Sequence, residues 1–244
     1  MPAASSARFL LKSLADFVFP PICYGCDSEI EAGPVCEACR LDLFTHELAV
    51  CPKCGRPCTR TAETCGQCKE EFSLSRVRGL GLYAPPFDKL IQAFKYSGKT
   101  KVGELLGQAL AALVRQDEVL SAANAVCPVP LHPARMRERG FNQSLLLAAA
   151  ISMDSGIPLA DCLVRRKNTS TQTMKTSPEE RRKNLERAFR VRPEAGIAGK
   201  TVLLVDDVMT TGATLDQAAR ALLKGGAASV LGVVIAAAHA GAGT

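Results

Sequence analysis

Apolar positions along this chain fall into two rhythms. Residues 78–83, 125–129, 200–206 and 229–236 are short stretches with the character of strands, and the third and fourth carry almost no polar interruption, as strands buried on both faces do. Residues 88–97, 101–115, 142–155 and 213–224 instead repeat their apolar positions at helical spacing. Strand and helix therefore alternate, which predicts an α/β fold with a mostly parallel sheet flanked by helices. Ahead of this body, Phe9, Leu10, Leu14, Phe17 and Val18 predict a short amphipathic helix over residues 7–20. Asp16 interrupts that pattern and no small-residue cleavage site follows, so a helix packing on the body is expected rather than a secretory signal. No apolar run approaches the ~20 residues that cross a bilayer, and the chain is expected to be soluble and cytoplasmic, with no transmembrane segment.

The cysteines divide the chain. Nine of eleven lie between Cys23 and Cys68, and eight of these form Cys-x-x-Cys pairs: Cys23/Cys26, Cys36/Cys39, Cys51/Cys54 and Cys65/Cys68. Two intervening residues let both thiolates of a tight turn face one ion, and two such turns supply the four sulfurs of a tetrahedral zinc site. The two halves have nearly the same spacing, so the segment reads as a repeated zinc ribbon. A disulfide framework is the rival reading, and it belongs to secreted chains. Spacing leaves open whether one ion or two is bound and whether the pairs combine in sequence or interleave. Four sulfurs per ion leave no coordination position for water, so the metal is expected to be structural. Cys58, Cys127 and Cys162 are expected to be ordinary thiols. Cysteine density collapses near Phe72, which places a domain boundary between residues 1–72 and 73–244.

The 244-residue length and 47% hydrophobic composition allow one medium core plus a small appendage. A net charge of +6 is modest, but residues 165–200 hold eleven Lys/Arg against four Asp/Glu. That local excess suits a nucleotide phosphate, pyrophosphate or nucleic acid, and for any single charge it equally suits a solvated surface.

The most informative segment is TVLLVDDVMTTGATL, residues 201–215. An apolar run ends in Asp206 and Asp207, and Thr210, Thr211, Gly212, Ala213 and Thr214 then open a helix that Gly225 closes. Backbone N–H groups at such a helix start, with the positive end of its dipole, suit a phosphate. Two adjacent carboxylates suit the hydroxyls of the attached sugar. Open α/β sheets bind ligands at this carboxyl end of their strands.

This segment resembles the 5-phosphoribosyl 1-pyrophosphate (PRPP) signature of type I phosphoribosyltransferases. VPLHPARMRERGFNQ (residues 129–143) and KNTSTQTMKTSPEERRKN (residues 167–184), with the cysteine pairs and Phe94-Lys95-Tyr96-Ser97-Gly98, are similar to the hallmarks of the ComF family, linked to competence and DNA uptake. The resemblance implies a type I phosphoribosyltransferase fold carrying an amino-terminal double zinc ribbon. It implies that Val205, Asp206, Asp207, Thr210, Thr211, Gly212, Ala213 and Thr214 bind PRPP, with Asp206 and Asp207 the catalytic acids. It also implies Mg²⁺ on the pyrophosphate. Pro130 and Leu131 would turn where pyrophosphate leaves, and Arg139 and Lys175, with Lys95, would contact it. Arg135 and Arg137 read equally as anion ligands or as a salt-bridged surface helix, and Asn142 and Gln143 as helix-capping residues. Residues 168–177 match a loop that closes over PRPP. The activity implied is displacement of pyrophosphate by a nitrogen nucleophile. The alternative is a non-catalytic PRPP sensor or single-stranded-DNA-binding accessory, with DNA-uptake proteins as partners and a homodimer as a further expectation.

Overall fold

The structure, a computed structural model, describes residues 20–45, 49–58, 65, 72–96, 99–165 and 188–238. All but the end of the helix expected at 7–20, the loop expected at 168–177, and Cys68 and Lys175 lie outside these residues.

The elements run α1 (Glu37–Phe44), β1 (Arg76–Leu82), α2 (Phe87–Tyr96), α3 (Thr100–Gln116), α4 (Glu118–Ser121), β2 (Ala125–Pro128), α5 (Pro133–Arg139), α6 (Gln143–Ser155), β3 (Leu163–Arg165), β4 (Phe189–Val191), β5 (Thr201–Met209), α7 (Ala213–Lys224) and β6 (Ser229–Ala237). Four strands form one parallel sheet in the order β1-β6-β5-β2. The β5 and β6 runs are apolar without alternation because both faces are covered. On one face, Leu203, Val205, Val233 and Ile235 pack against Leu106 and Leu110 of α3 and Leu147 and Ile151 of α6. On the other, Val202, Leu204, Val230 and Val234 meet Leu215, Ala218, Ala219 and Leu222 of α7. Each fully buried Leu or Ile contributes about 1.5–3 kcal/mol, so these two layers fix where β5 ends and α7 begins.

The eight elements anticipated from periodicity are present with ends shifted by at most a few residues. The largest shift matters for function: β5 continues through Asp206 and Asp207 to Met209, so both acids belong to the strand. The short antiparallel pair β3–β4, beside α7, was not anticipated, because three residues are too few to show a period. Nor was α1, which begins directly after Cys36, its N-cap. Arg135 and Arg137 lie on helix α5, none of whose residues is buried.

Candidate functional site

The site is built where β2 stops short of β5. The β2–β5 ladder has its last pair at Pro128 and Val205, followed by one bond from the Val129 N–H to the Val205 carbonyl at 2.9 Å. The chain then departs through Pro130, which has no N–H to continue the ladder. On its other side β5 stays paired with β6, where Asp206 lies opposite Val234. Asp206 and Asp207, both part-buried, are thereby held on β5 beyond its last pair with β2, on the flank that β2 has left.

Both carboxylates have partners. The Ser144 hydroxyl, at the start of α6, donates to Asp206 Oδ1 at 3.0 Å, and the Asp207 backbone N–H donates to the same oxygen at 2.9 Å. Lys95, in the last turn of α2, pairs with Asp207 Oδ2 at 2.8 Å. Burial, reinforced by the charge of Asp207, pushes the Asp206 carboxyl up to about 7, against the pull of the Asp207 N–H, the Ser144 hydroxyl and Lys95. An acid raised in this way lowers its energy when a ligand brings hydrogen-bond donors or positive charge.

Beyond Met209 the chain turns through Thr210, Thr211 and Gly212 into α7. Gly212 is the N-cap and has φ +81°, a left-handed conformation that side chains disfavour. It offers no side-chain cap; in this first turn Ala213 N–H reaches Thr211 Oγ1 at 3.3 Å and Asp216 N–H the Gly212 carbonyl at 2.9 Å, so the Thr214 and Leu215 amides remain for another acceptor. Thr210, Thr211 and Ala213 are exposed and Thr214 is half-buried, so the expected phosphate loop lies open and next to the acids.

The opposite rim comes from the segment after β2. Pro130 and Leu131 are half-buried, and Asn142 Nδ2 donates to the Val129 carbonyl at 3.2 Å while its side-chain oxygen caps α6 through the Ser144 N–H. Arg139 lies over the Tyr96 ring, 5.3 Å from its centroid, and donates to Gln143 Oε1 at 3.2 Å. Gln143 is itself buried. Arg135 and Arg137 are exposed on α5.

The cysteines combine in sequence. The sulfurs of Cys23, Cys26, Cys36 and Cys39 lie within 4.8 Å of one another, as do those of Cys51, Cys54 and Cys65. Backbone donors converge on them: Gly25 and Cys36 N–H reach Cys23 Sγ at 3.3 and 3.2 Å, and Cys65 N–H reaches Cys51 Sγ at 3.3 Å. Burial opposes ionisation of Cys51, yet the N–H groups of Cys54, Cys65 and Lys53 bring it down to about 6. Converging soft sulfurs with amide support fit a structural zinc ion, with no vacancy for catalysis at the first cluster. Cys127 and Cys162 are fully buried in the sheet–α7 core, apart from either cluster.

Two residues of this region were missed from the sequence. Ser144 carries no signal beyond its place after Asn142. Arg56 comes from the second cysteine turn and donates to the carbonyls of Thr210 and Thr211, which no local pattern could reveal.

Comparison with known proteins agrees with both halves. A double zinc ribbon domain matches residues 14–69, and a phosphoribosyl transferase domain matches residues 142–243. The DNA utilization protein YhgH of Escherichia coli (strain K12) is 33% identical over 223 residues, spanning 86% of this chain and 94% of that protein. Competence protein F of Haemophilus influenzae is 33% identical over 83% of this chain and 84% of its own length. Competence protein ComFC of Bacillus subtilis (strain 168) is 33% identical over 80% and 81%. A double zinc ribbon leading into a phosphoribosyltransferase-type sheet, with this likeness along most of the chain, makes the protein a member of the ComF family.

Proposed function

We propose that the protein binds PRPP with Mg²⁺ at the β5–α7 turn, and that it serves DNA uptake or the use of exogenous DNA, as the names of its relatives suggest. The observation that carries the reading is the adjacency of Asp206 and Asp207, on the projecting end of β5, to an open turn whose N-cap is a left-handed glycine. In this reading Val205 and the two acids border the ribose, the acids accepting its hydroxyls. The amides and hydroxyls of Thr210, Thr211, Gly212, Ala213 and Thr214 hold the 5-phosphate. Pro130, Leu131 and Arg139 border the pyrophosphate, with Lys175 assigned to the same role. Lys95 neutralises Asp207 until ligand arrives. Mg²⁺ fits a site with two carboxylates beside a pyrophosphate, and it would supply charge neutralisation there. Displacement of pyrophosphate by a nitrogen nucleophile would rest on positioning and charge stabilisation, without a covalent protein nucleophile. The ribbon would occupy residues 1–72 and the transferase-type unit 73–244, in the cytoplasm.

The test measures PRPP and single-stranded DNA binding separately in wild type and in the Asp206→Ala/Asp207→Ala variant, and follows pyrophosphate release with a panel of bases and amines. Loss of PRPP binding with DNA affinity retained supports the reading and separates the two surfaces. Release with one acceptor makes the protein an enzyme. Saturable PRPP binding without release by any acceptor favours the sensor. PRPP binding unchanged in the double variant removes the site.

A further inference from the structure

The second cysteine turn does not stand apart from the phosphate loop. Arg56 follows Cys54 and Gly55, and its backbone is held within the turn by the Cys51 N–H, which donates to the Arg56 carbonyl at 2.8 Å. The residue is 3% exposed. Nη2 donates to the carbonyls of Thr210, at 3.2 Å, and Thr211, and Nη1 lies 3.9 Å from Cys54 Sγ. A second contact runs beside it. Phe72 packs against the Cys51/Cys54 cluster, and a Cβ added to Gly212 would come within 3.1 Å of its ring and 3.2 Å of Arg56 Nη2. Ser73 N–H then anchors the chain to Asp216, in the first turn of α7, at 2.7 Å.

The physical consequence concerns peptide orientation. In a tight turn that offers N–H groups to an anion, the carbonyls point the other way and need donors of their own. A guanidinium is planar and has several donors, so one group can serve two successive carbonyls and fix both peptide planes. It also adds a buried positive charge behind a loop that would hold a phosphate. Thr210 and Thr211 leave their side chains at the exposed surface, while their carbonyls are tied to the cysteine module.

We propose that Arg56 is a positioning residue that sets the phosphate loop in its anion-binding orientation, so that metal at Cys51, Cys54 and Cys65 controls affinity for a phosphoribosyl ligand. The ligand arm of this proposal rests on the PRPP reading above; the loop arm does not. Because coupling between two bound species is reciprocal, ligand must also strengthen retention of that metal.

The experiment uses the full zinc-loaded chain as wild type, Arg56→Met and Arg56→Lys. Three quantities are read: zinc content, hydrogen exchange across residues 203–215, and PRPP affinity with Mg²⁺ by calorimetry. Loss of two charge-assisted hydrogen bonds from the loop is expected to weaken PRPP binding by about 10- to 100-fold in Arg56→Met. Its zinc content should be unchanged and its loop exchange faster. Arg56→Lys keeps the charge but serves one carbonyl, so it should fall between the two. PRPP should slow zinc loss to a chelator in wild type and not in Arg56→Met. If Arg56→Met does not fold, gradual chelation of wild type decides: loop exchange must rise as the second zinc leaves, before the β5 and β6 amides are exposed. Loop exchange that ignores both the substitution and chelation overturns the proposal, as does a zinc-replete Arg56→Met that binds PRPP like wild type. Absence of PRPP binding in wild type sinks the ligand reading instead, and loop exchange still judges the brace.

Discussion

Replacing Asp206 by Asn should stabilise the ligand-free protein while abolishing its proposed binding function. The ordinary value for this carboxyl is 3.8, and burial beside Asp207 raises it to about 7. A carboxyl raised on folding holds its proton more tightly in the native state than in the unfolded chain. Below about pH 4 both states are protonated and the group is neutral in the balance. Between there and about pH 7 only the unfolded chain has ionised, so stability declines as pH rises, by about 1.4 kcal/mol per pH unit. Above about pH 7 the full cost is present, at most about 4 kcal/mol. Asn has nearly the same shape and accepts the same two bonds from Ser144 and the Asp207 N–H, but it never ionises. At about pH 8 the zinc-loaded variant should therefore exceed wild type by up to about 4 kcal/mol in urea unfolding, and the gap should narrow by about 1 kcal/mol at about pH 6. A variant no more stable than wild type at the higher pH would refute the reasoning, because the buried charge would then carry no penalty. This is the exchange of stability for function expected if the proposed ligand site holds an uncomfortable charge.

Three further outcomes follow from the same geometry. If PRPP requires ionised Asp206, its affinity should fall about tenfold per pH unit below about pH 7, and Lys95→Met should move that profile to higher pH by removing a neighbouring positive charge; calorimetry across pH reads both. Gly212→Ala places a side chain at φ +81° and 3.1 Å from Phe72, so it should lose PRPP binding while costing about 1–2 kcal/mol of stability, as seen by calorimetry and thermal melting. Gly81→Ala would put its Cβ 2.2 Å from Phe87 Cε2, which should cost about 1–3 kcal/mol of stability through displacement of α2, measured by denaturant unfolding.

How much of this was legible in the sequence depends on the range of the interaction. Strands β5 and β6 announce themselves because burial on both faces removes polar residues from the run, and α7 because Gly212 and Gly225 bracket an amphipathic period. The acids and the threonine-rich turn are contiguous, so the chemistry is written in one stretch of chain. What the linear pattern conceals is set by tertiary contact. Nothing local says that β2 ends at Pro128, opposite Val205, which is what opens the recess, or that Lys95 reaches Asp207 from a helix far earlier in the chain. Nor does it say that Arg56 crosses to Thr210 and Thr211. Spacing also left the cysteine pairing open, because Cys-x-x-Cys turns can combine in sequence or interleave; the fold brings Cys23 to Cys39 together and Cys51 to Cys65 together. The surroundings of Arg139 are equally hidden from the linear pattern. The family resemblance assigns it to the pyrophosphate, and only the fold shows that it lies over the Tyr96 ring and donates to Gln143.

The central claim is that the projecting end of β5 and the turn into α7 form a phosphoribosyl site. The most direct measurement is calorimetric titration of zinc-replete protein with PRPP and Mg²⁺ at about pH 8, where Asp206 is ionised. The account predicts a saturable isotherm that disappears in Asp206→Asn even though that variant is the more stable protein. No saturable heat in wild type, or an isotherm that survives in Asp206→Asn, would contradict it.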